Sequence, residues 1–277
     1  MKKWILFLGF VFPICVQAQT SGNCGPKDDD GNFTSSCTYT YDTNTQTLTI
    51  SGTLMADFAY GDSTPRTDAP WKSFNNTNVV IEEGMTNVGN FAFIDSNVQK
   101  ANLPESLTSV GTMSFFTSDL KEIDLPKKLT TIGYGAFNDC SIKNVVIPDG
   151  VTKLNERVFS SNPIETLIIP EGVTEIDEYA FYCNGCDSTA SGRAMPLKDI
   201  YCSSAQTAQC QKAVSHLGEN INIHEYVKIG DAYYVDGKFY KHANDLWDRN
   251  NIKKRIYTID EANRVTGDKN RVSIKYR

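Results

Sequence analysis

A segment of six residues recurs every 22 residues along the middle of the chain. It begins with an apolar residue, usually followed by proline, and its sixth residue is threonine. Its copies begin at Ile81, Leu103, Leu125, Ile147 and Ile169. Each copy also carries a phenylalanine at the same offset, at Phe93, Phe115, Phe137, Phe159 and Phe181. A unit of this length cannot bury an apolar face alone, so neighbouring copies are expected to stack on one another.

A period of 20 to 29 residues with several apolar positions per unit predicts a leucine-rich-repeat solenoid, with one short strand per unit. The strand is predicted where apolar residues alternate before the proline, as in Asn144–Pro148. Because successive side chains point to opposite faces of a strand, Val145 and Ile147 point inward, and the residues between them face the concave surface. The candidate binding residues on that surface are Lys100, Asn102, Glu122, Asp124, Asn144, Val146, Thr166 and Ile168.

The repeat resembles the BspA-like leucine-rich repeats of bacterial and some protist surface proteins. The pattern L-P-x-x-L-T-x-I-G-x-x-A-F-x-x-C is found almost letter for letter between Leu125 and Cys140. Upstream, the chain also resembles the amino-terminal cap of that family, at Cys24-Gly25, Leu48–Gly52 and Pro70-Trp71. The resemblance therefore covers about residues 22 to 205. It implies adhesion to host or matrix glycoproteins, or contact with other cells.

The predicted fold is an α/β-type solenoid, capped by a β-hairpin at the amino end and a helix at the carboxyl end, followed by a small α+β module. The expected divisions are a signal peptide at 1–18, an amino-terminal cap at 19–75, the repeats with their carboxyl-terminal cap at 76–225, and a basic module at 226–277. Both ends of a solenoid expose apolar edges, which is why caps are required.

The caps have their own sequence signals. Residues Cys37–Tyr41 and Thr47–Ile50 alternate as the two strands of a hairpin. Ser203 and Gln206 form a capping box that predicts a helix through about Leu217, with Cys210 and Val214 on its buried face. In the last module, Tyr233–Tyr240 predicts a hairpin built on Asp236-Gly237.

The first residues are typical of an export signal. Lys2 and Lys3 precede an apolar run from Trp4 to Cys15, and small residues occupy the positions read by a signal peptidase before Gln19. This run is too short to span a bilayer, and no later stretch approaches the ~18 apolar residues that a spanning helix needs. The sequence therefore predicts a secreted or cell-surface protein with no transmembrane segment after cleavage.

Seven cysteines remain after cleavage, and in an exported protein they indicate disulfides with one thiol left over. The candidates are Cys24 with Cys37, Cys183 with Cys186, and Cys202 with Cys210, although other pairings among the last four stay open. Those four also have the count of a zinc site, but export favours oxidation. Cys140 occupies a repeat position and is expected to be the buried, unpaired thiol.

Charge and motifs exclude several functions. Residues 19–225 carry 13 basic and 26 acidic side chains, whereas residues 226–277 carry 12 and 7. Such an acidic body disfavours general nucleic-acid binding. Three histidines occur outside any hydrolase motif, and Glu122 with Asp124 lies on an open strand surface rather than in a glycosidase pocket. No catalytic residue, cofactor or metal site is predicted, and Asp28–Asn32 is interpreted as a polar turn rather than a calcium loop.

The sequence therefore predicts a secreted or surface-displayed, non-enzymatic binding protein whose concave face takes a protein or glycoprotein ligand. An alternative hypothesis makes it a structural component or spacer of the envelope, anchored by residues 226–277. A third hypothesis, an enzymatic carboxyl-terminal module, is disfavoured because that segment of about 50 residues has no nucleophile motif or acid–base pair.

Overall fold

The computed structural model describes residues 20–59, 68–75, 77–182, 197–204, 206–215, 221–229, 232–235 and 238–240. In these ranges the regular secondary structure consists of sixteen strands and one helix. The strands are β1 (Thr20–Asn23), β2 (Thr38–Asp42), β3 (Thr47–Ser51), β4 (Asn78–Ile81), β5 (Asn87–Val88), β6 (Lys100–Asn102), β7 (Ser109–Val110), β8 (Thr131–Ile132), β9 (Asn144–Val146), β10 (Lys153–Leu154), β11 (Thr166–Ile169), β12 (Glu175–Ile176), β13 (Asp199–Ser203), β14 (Asn222–Ile229), β15 (Ala232–Val235) and β16 (Lys238–Tyr240). The helix is α1 (Thr207–Val214).

The amino-terminal strands form a five-stranded sheet in the order β1-β2-β3-β4-β6. β2 and β3 pair antiparallel, with Tyr39 opposite Ile50, so the predicted hairpin is present. β3, β4 and β6 then run parallel. Leu48 and Ile50 are fully buried while their neighbours in β3 are only half-buried, which is the alternation that fixes the register of a strand with one core face.

The carboxyl-terminal strands form a six-stranded sheet in the order β9-β11-β13-β14-β15-β16. β9, β11, β13 and β14 are parallel, and β14, β15 and β16 are antiparallel. Val235 lies opposite Lys238, the register expected of the predicted Tyr233–Tyr240 hairpin, whose residues 236 and 237 lie outside the described residues. The predicted division between residues 225 and 226 falls inside β14, because that strand carries the repeat sheet directly into the final hairpin.

One predicted strand is reduced to a single contact. Between the two large sheets, Glu122 forms an isolated parallel bridge with Lys100, and no longer ladder is formed around it. Acidic residues are poor strand formers, and this unit has two of them, Glu122 and Asp124, in the strand position.

A second set of short parallel ladders joins the units on another side. Val88 lies opposite Val110, and Val110 opposite Ile132, each pair separated by 22 residues. Leu154 pairs with Ile176 in the same manner. The sequence analysis did not predict strands at these positions.

The aromatic rings of successive units stack in the core. Trp71 packs on Phe93 at a centroid distance of 5.6 Å, and the series continues through Phe115, Phe137, Phe159 and Phe181 at 5.0, 5.5, 5.4 and 6.2 Å. In the last two pairs the ring planes are nearly parallel, with an interplanar angle of 5° each. Stacked aromatic pairs of this kind add to the free energy of area burial.

The helix begins later than the sequence predicted. Ser203 belongs to β13, and Gln206 is the N-cap residue without a side-chain cap hydrogen bond, so the capping box does not form. The Gln206 side chain instead donates to the backbone oxygens of Glu171, at 2.8 Å, and Val173. Cys210 and Val214 are buried as predicted, whereas Leu217 lies outside the described residues.

Two of the predicted cysteine pairs are within bonding distance. Cys24 and Cys37 join the chain after β1 to the start of β2, with an S–S distance of 2.11 Å, and Cys202 and Cys210 join β13 to α1 at 1.99 Å. Cys183 and Cys186 lie outside the described residues, as does the predicted signal peptide.

Cys140 is a buried free thiol, as predicted. Its Sγ donates to the Phe115 backbone oxygen at 3.1 Å. In the next unit Asn162 donates to the Phe137 oxygen at 2.6 Å, so one repeat position satisfies the same turning backbone with two different side chains. Burial raises the pKa of the Cys140 thiol to about 11. The thiolate is therefore disfavoured, in accord with a structural role.

Candidate binding face

The predicted binding residues divide into two groups. Lys100 lies opposite Glu122 in the bridge, and Asn102 lies opposite Val80 in β4. Lys100, Asn102, Glu122 and Asp124 are exposed, and Asn144 and Val146 in β9 are half-buried. We call these six residues the open end of the face. They lie on the predicted side of their strands, because the residues between them, Ala101, Ile123 and Val145, are buried in the core.

The side chains of the open end have few interactions within the protein. In the described part of the chain, Lys100, Asn102, Glu122, Asp124 and Asn144 form no side-chain hydrogen bond or ion pair. Exposed charges elsewhere do pair: Lys153 Nζ lies 3.0 Å from Glu175 Oε2, and Lys198 Nζ lies 3.4 Å from Glu165 Oε2. The open end thus offers one cationic, two anionic and two amide groups to a ligand.

The prediction was wrong for Thr166 and Ile168, which are 8% and 1% exposed. Ile168 belongs to a small apolar cluster with Tyr201, Tyr226 and Val235, against which Val146 packs. The Tyr226 hydroxyl reaches past β13 and donates to the Ile169 backbone oxygen at 2.8 Å. We call Ile168, Tyr201, Tyr226 and Val235 the closed end of the face, because this end is withdrawn from solvent.

Sequence reasoning missed the closed end because two of its members lie beyond the last repeat. Tyr201 pairs with Ile168 and therefore occupies the same row of the sheet. Tyr226 and Val235 follow the predicted division and carry no repeat signal. Their place depends on β14 adding to the sheet, which is a non-local pairing.

A polar group borders the closed end. His224 stacks on Tyr201 with a centroid distance of 4.8 Å, and its Nε2 lies 2.7 Å from Asp199 Oδ1. The Asn222 side-chain amide donates to the same oxygen at 3.3 Å. The Asp199 carboxylate therefore fixes the His224 ring over Tyr201 and links β13 to β14.

The Asp28–Asn32 segment is a polar turn. The Asp28 carboxylate accepts hydrogen bonds from the backbone N–H groups of Asn32, at 2.8 Å, and Asp30, at 3.1 Å. The hydrogen bond from Asn32 is the main cause that lowers the pKa of Asp28. One carboxylate oxygen is therefore occupied by amides rather than available to a cation. Among the described residues, no group of three or more His, Cys, Asp or Glu side chains is arranged to hold a metal ion.

No helix in the described ranges is long and apolar enough to cross a bilayer.

Comparison with known proteins identifies the repeats. The model of the BspA type leucine rich repeat region matches in six copies over residues 70–187. No curated protein matches the sequence. A leucine-rich repeat protein from Eubacterium ventriosum shares 19% identity, with 79% of this chain and 49% of that one covered and a TM-score of 0.52. This chain thus spans about half the length of that protein, and the likeness concerns the fold alone.

Two further solved structures are similar over smaller parts. The pneumococcal vaccine antigen PcpA shares 17% identity, with 70% of this chain and 46% of that one covered and a TM-score of 0.44. A leucine-rich repeat protein from Bacteroides ovatus shares 16% identity, with 68% and 65% covered and a TM-score of 0.33. The six repeat matches, together with the stacked phenylalanines and the ladders that pair residues 22 apart, lead to one conclusion: residues 70–187 of this chain belong to the BspA-type leucine-rich repeat family.

Proposed function

We propose that this chain is a secreted or cell-surface, non-enzymatic binding protein that takes a protein or glycoprotein partner on the open end of its repeat face. The observation that carries the proposal is the set of exposed polar side chains at Lys100, Asn102, Glu122 and Asp124, which have no partners among the described residues. Their backbone is held by the pairing of β4 with β6 and by the bridge between Lys100 and Glu122, so the entropy cost of docking a ligand falls mainly on ordering the side chains.

The proposed architecture is a solenoid of 22-residue units. In it the hairpin of β2 and β3 covers the amino-terminal edge, and α1 with β14–β16 covers the carboxyl-terminal edge. The supporting contacts are the disulfide between Cys202 and Cys210 and the Gln206 side chain, which ties α1 to the turn at Glu171. An internal unit of a repeat array contacts a neighbour on both sides. An end unit has a neighbour on one side only, so its other side requires such a cover.

Export is part of the proposal. It is supported by the basic and apolar pattern of residues 1–19 and by the two cysteine pairs at bonding distance, since disulfides persist mainly in oxidising compartments. Adhesion to host or matrix glycoproteins is the form of binding that the repeat family suggests.

The test is binding of the purified, oxidised protein to a panel of matrix and host-surface glycoproteins. The variant carries Lys100→Ala, Glu122→Ala and Asp124→Ala together. Its matched control carries Lys127→Ala, Glu105→Ala and Glu178→Ala, which removes the same charges from exposed positions outside the face. We expect saturable binding that is weakened at least 10-fold by the first set and unchanged by the control, because a combined loss of about 1.4 kcal/mol over three central contacts is a factor of 10 in affinity.

Equal weakening by both sets would show that charge, rather than this face, controls binding. Failure of the unmodified protein to bind any member of the panel would move the assignment to the alternative, an envelope component whose repeats act as a spacer.

A further inference from the structure

One boundary between repeat units has fewer backbone hydrogen bonds than its neighbours. We number the units from residues 78–99, so that the second is 100–121, the third is 122–143 and the fourth is 144–165. We call the boundary between the third and fourth units the seam. All residues from 77 to 182 are described, so every bond across the seam can be compared with its equivalent 22 residues away.

On the strand side, a row of backbone bonds is interrupted at the seam. The N–H of Gln99 donates to the Thr77 oxygen at 2.9 Å, and that of Lys121 to the Gln99 oxygen at 3.3 Å. After the seam, the N–H of Glu165 donates to the Lys143 oxygen at 2.8 Å. Within residues 77–182, the equivalent bond from Lys143 to Lys121 is absent, and β9 pairs with β11 but not with the third unit.

On the side of the second set of ladders, the same boundary is open. The N–H and the hydroxyl of Thr130 donate to the Thr108 oxygen at 2.9 and 3.1 Å, and those of Thr174 donate to the Thr152 oxygen at 2.8 and 3.2 Å. In the same described range, Thr152 makes neither bond to Thr130. β8 and β10 accordingly belong to different sheets.

A change of residue accounts for the break on this side. A Cβ atom at Gly111 or Gly133 would lie 2.6 or 2.5 Å from a backbone nitrogen of the preceding unit, so these units approach as only glycine permits. The fourth and fifth units carry Asn155 and Asp177 instead, and they pair with one another through β10 and β12. At the seam the Asn155 side chain donates to the Ile132 oxygen at 2.6 Å. The seam is therefore where glycine-bearing units meet units with a side chain.

The remaining side of the seam, which carries the turns around the phenylalanines, is intact. The N–H of Phe137 donates to the Val158 oxygen and that of Asp139 to the Ser160 oxygen, both at 2.9 Å. The rings of Phe137 and Phe159 stack at 5.4 Å. Two units that are bonded along one side and unpaired along two others can rotate about the bonded side, because the amides on the open sides are free to bond to water.

The seam also crosses the open end of the binding face. Glu122 and Asp124 lie before it, whereas Asn144 and Val146 lie after it. Rotation at the seam would change the distance between the two carboxylates and the Asn144 amide.

We propose that the seam is a hinge. The units before it and the units after it move as two blocks about the turn side, and this motion sets the spacing of the two parts of the open end. A partner that contacts both parts binds one hinge position more tightly than the others and so holds it. This last step rests on the proposed function, whereas the hinge itself does not.

Pairs of nitroxide labels on the full, oxidised chain test the hinge without any ligand. The labels are attached to Thr108→Cys with Thr152→Cys, which span the seam, or to Thr86→Cys with Thr130→Cys, which do not. All four threonines are exposed and equivalent in the repeat, and each pair is two units, or about 10 Å, apart. The change Cys140→Ser removes the buried free thiol from both proteins.

Dipolar broadening in electron paramagnetic resonance measures the distribution of distances. We expect a broader distribution for the pair that spans the seam than for the matched pair. Equal breadth would overturn the hinge, even if the mean distance were longer across the seam, because a fixed gap lengthens the distance without broadening it.

A repaired seam tests the origin of the hinge. Asn155→Gly with Asp177→Gly gives every unit the glycine of the first three, so the pair that spans the seam should narrow towards the matched pair. Unchanged breadth would overturn the change of residue as the cause of the hinge.

The effect of a partner is measured by adding each glycoprotein of the panel to the protein labelled across the seam. A glycoprotein that binds should narrow the distribution, and binding without narrowing would overturn the coupling while leaving the hinge. If no member of the panel binds, the proposed function fails, whereas the breadth measured without ligand still decides the hinge.

Discussion

The two ends of the repeat face have the same backbone geometry and opposite surroundings. At β6, Lys100 and Asn102 are exposed, whereas at β11 the corresponding Thr166 and Ile168 are buried. Both pairs occupy parallel strands and alternate with core residues. The repeat therefore determines which side of the strand a residue occupies, and chain outside the repeat determines whether that side meets water.

The largest expected effect comes from placing a negative charge at the closed end, compared with the same charge at the open end. Ile168→Asp should lower the free energy of unfolding by about 3–5 kcal/mol, because it removes buried apolar contacts and buries a carboxylate without a partner. Asn102→Asp at the corresponding open position should change it by less than about 0.5 kcal/mol. Urea denaturation of the oxidised proteins measures both, and equal losses would mean that the two ends are not different environments.

A smaller effect is expected from one hydroxyl at the closed end. Tyr226→Phe deletes the hydrogen bond to the Ile169 backbone oxygen and leaves that buried carbonyl without the donor, which should cost about 1–2 kcal/mol. The comparison is Tyr41→Phe in β2, whose hydroxyl donates to the part-buried Asn75 oxygen at 3.0 Å. We expect about half the loss there, and the same denaturation curves would contradict the difference if Tyr41→Phe were the more damaging change.

Cys140 is buried in the middle of the repeats and reports whether that part of the core opens separately from the rest of the protein. Its pKa is raised from 9.0 to about 11 in the folded protein, so the neutral thiol is favoured and its stabilising effect is lost as the pH rises from about 9 through 11. At pH 8 the native thiol should resist alkylation, and its labelling should follow global unfolding in urea. Labelling well below the unfolding midpoint would instead show that the middle of the repeats opens separately.

The smallest effect concerns the backbone near the open end. Thr117 has a φ of 55°, a left-handed conformation that a β-branched residue adopts with strain. Thr117→Gly should therefore stabilise the protein by about 0.5–1 kcal/mol, whereas Thr152→Gly, at an exposed residue without positive φ, should destabilise it. Thermal denaturation detects both signs, and stabilisation by both changes would argue against backbone strain as the cause.

The repeat itself was predictable because its signals are local and are repeated five times. The phenylalanine positions, the strands around Val145 and Leu167, the amino-terminal hairpin and the pairing of Cys24 with Cys37 all follow from residues close in sequence. The start of α1 was not predictable, because the Gln206 side chain donates to the backbone of the turn at Glu171 rather than forming a cap. A tertiary contact therefore replaces the local capping interaction.

The open and closed ends could not be separated from sequence for the same reason. Thr166 and Ile168 occupy the same repeat positions as Lys100 and Asn102, and their burial depends on Tyr201 and Tyr226 arriving from later strands. The change from polar to apolar residues along the row, from Asn102 to Ile168, was the available signal. A row that becomes apolar towards one end of a sheet indicates which end is buried.

The stack of phenylalanine rings also constrains how such a molecule can change in length during evolution. Each 22-residue unit contributes one ring, so gain or loss of a whole unit by recombination leaves every remaining ring facing another ring. A gain or loss of any other size within the stack would put the rings beyond it out of alignment with those before it. Descendants of this gene that stay folded should therefore differ in the number of stacked units by integers, while insertions of arbitrary size are tolerated only in loops outside the stack.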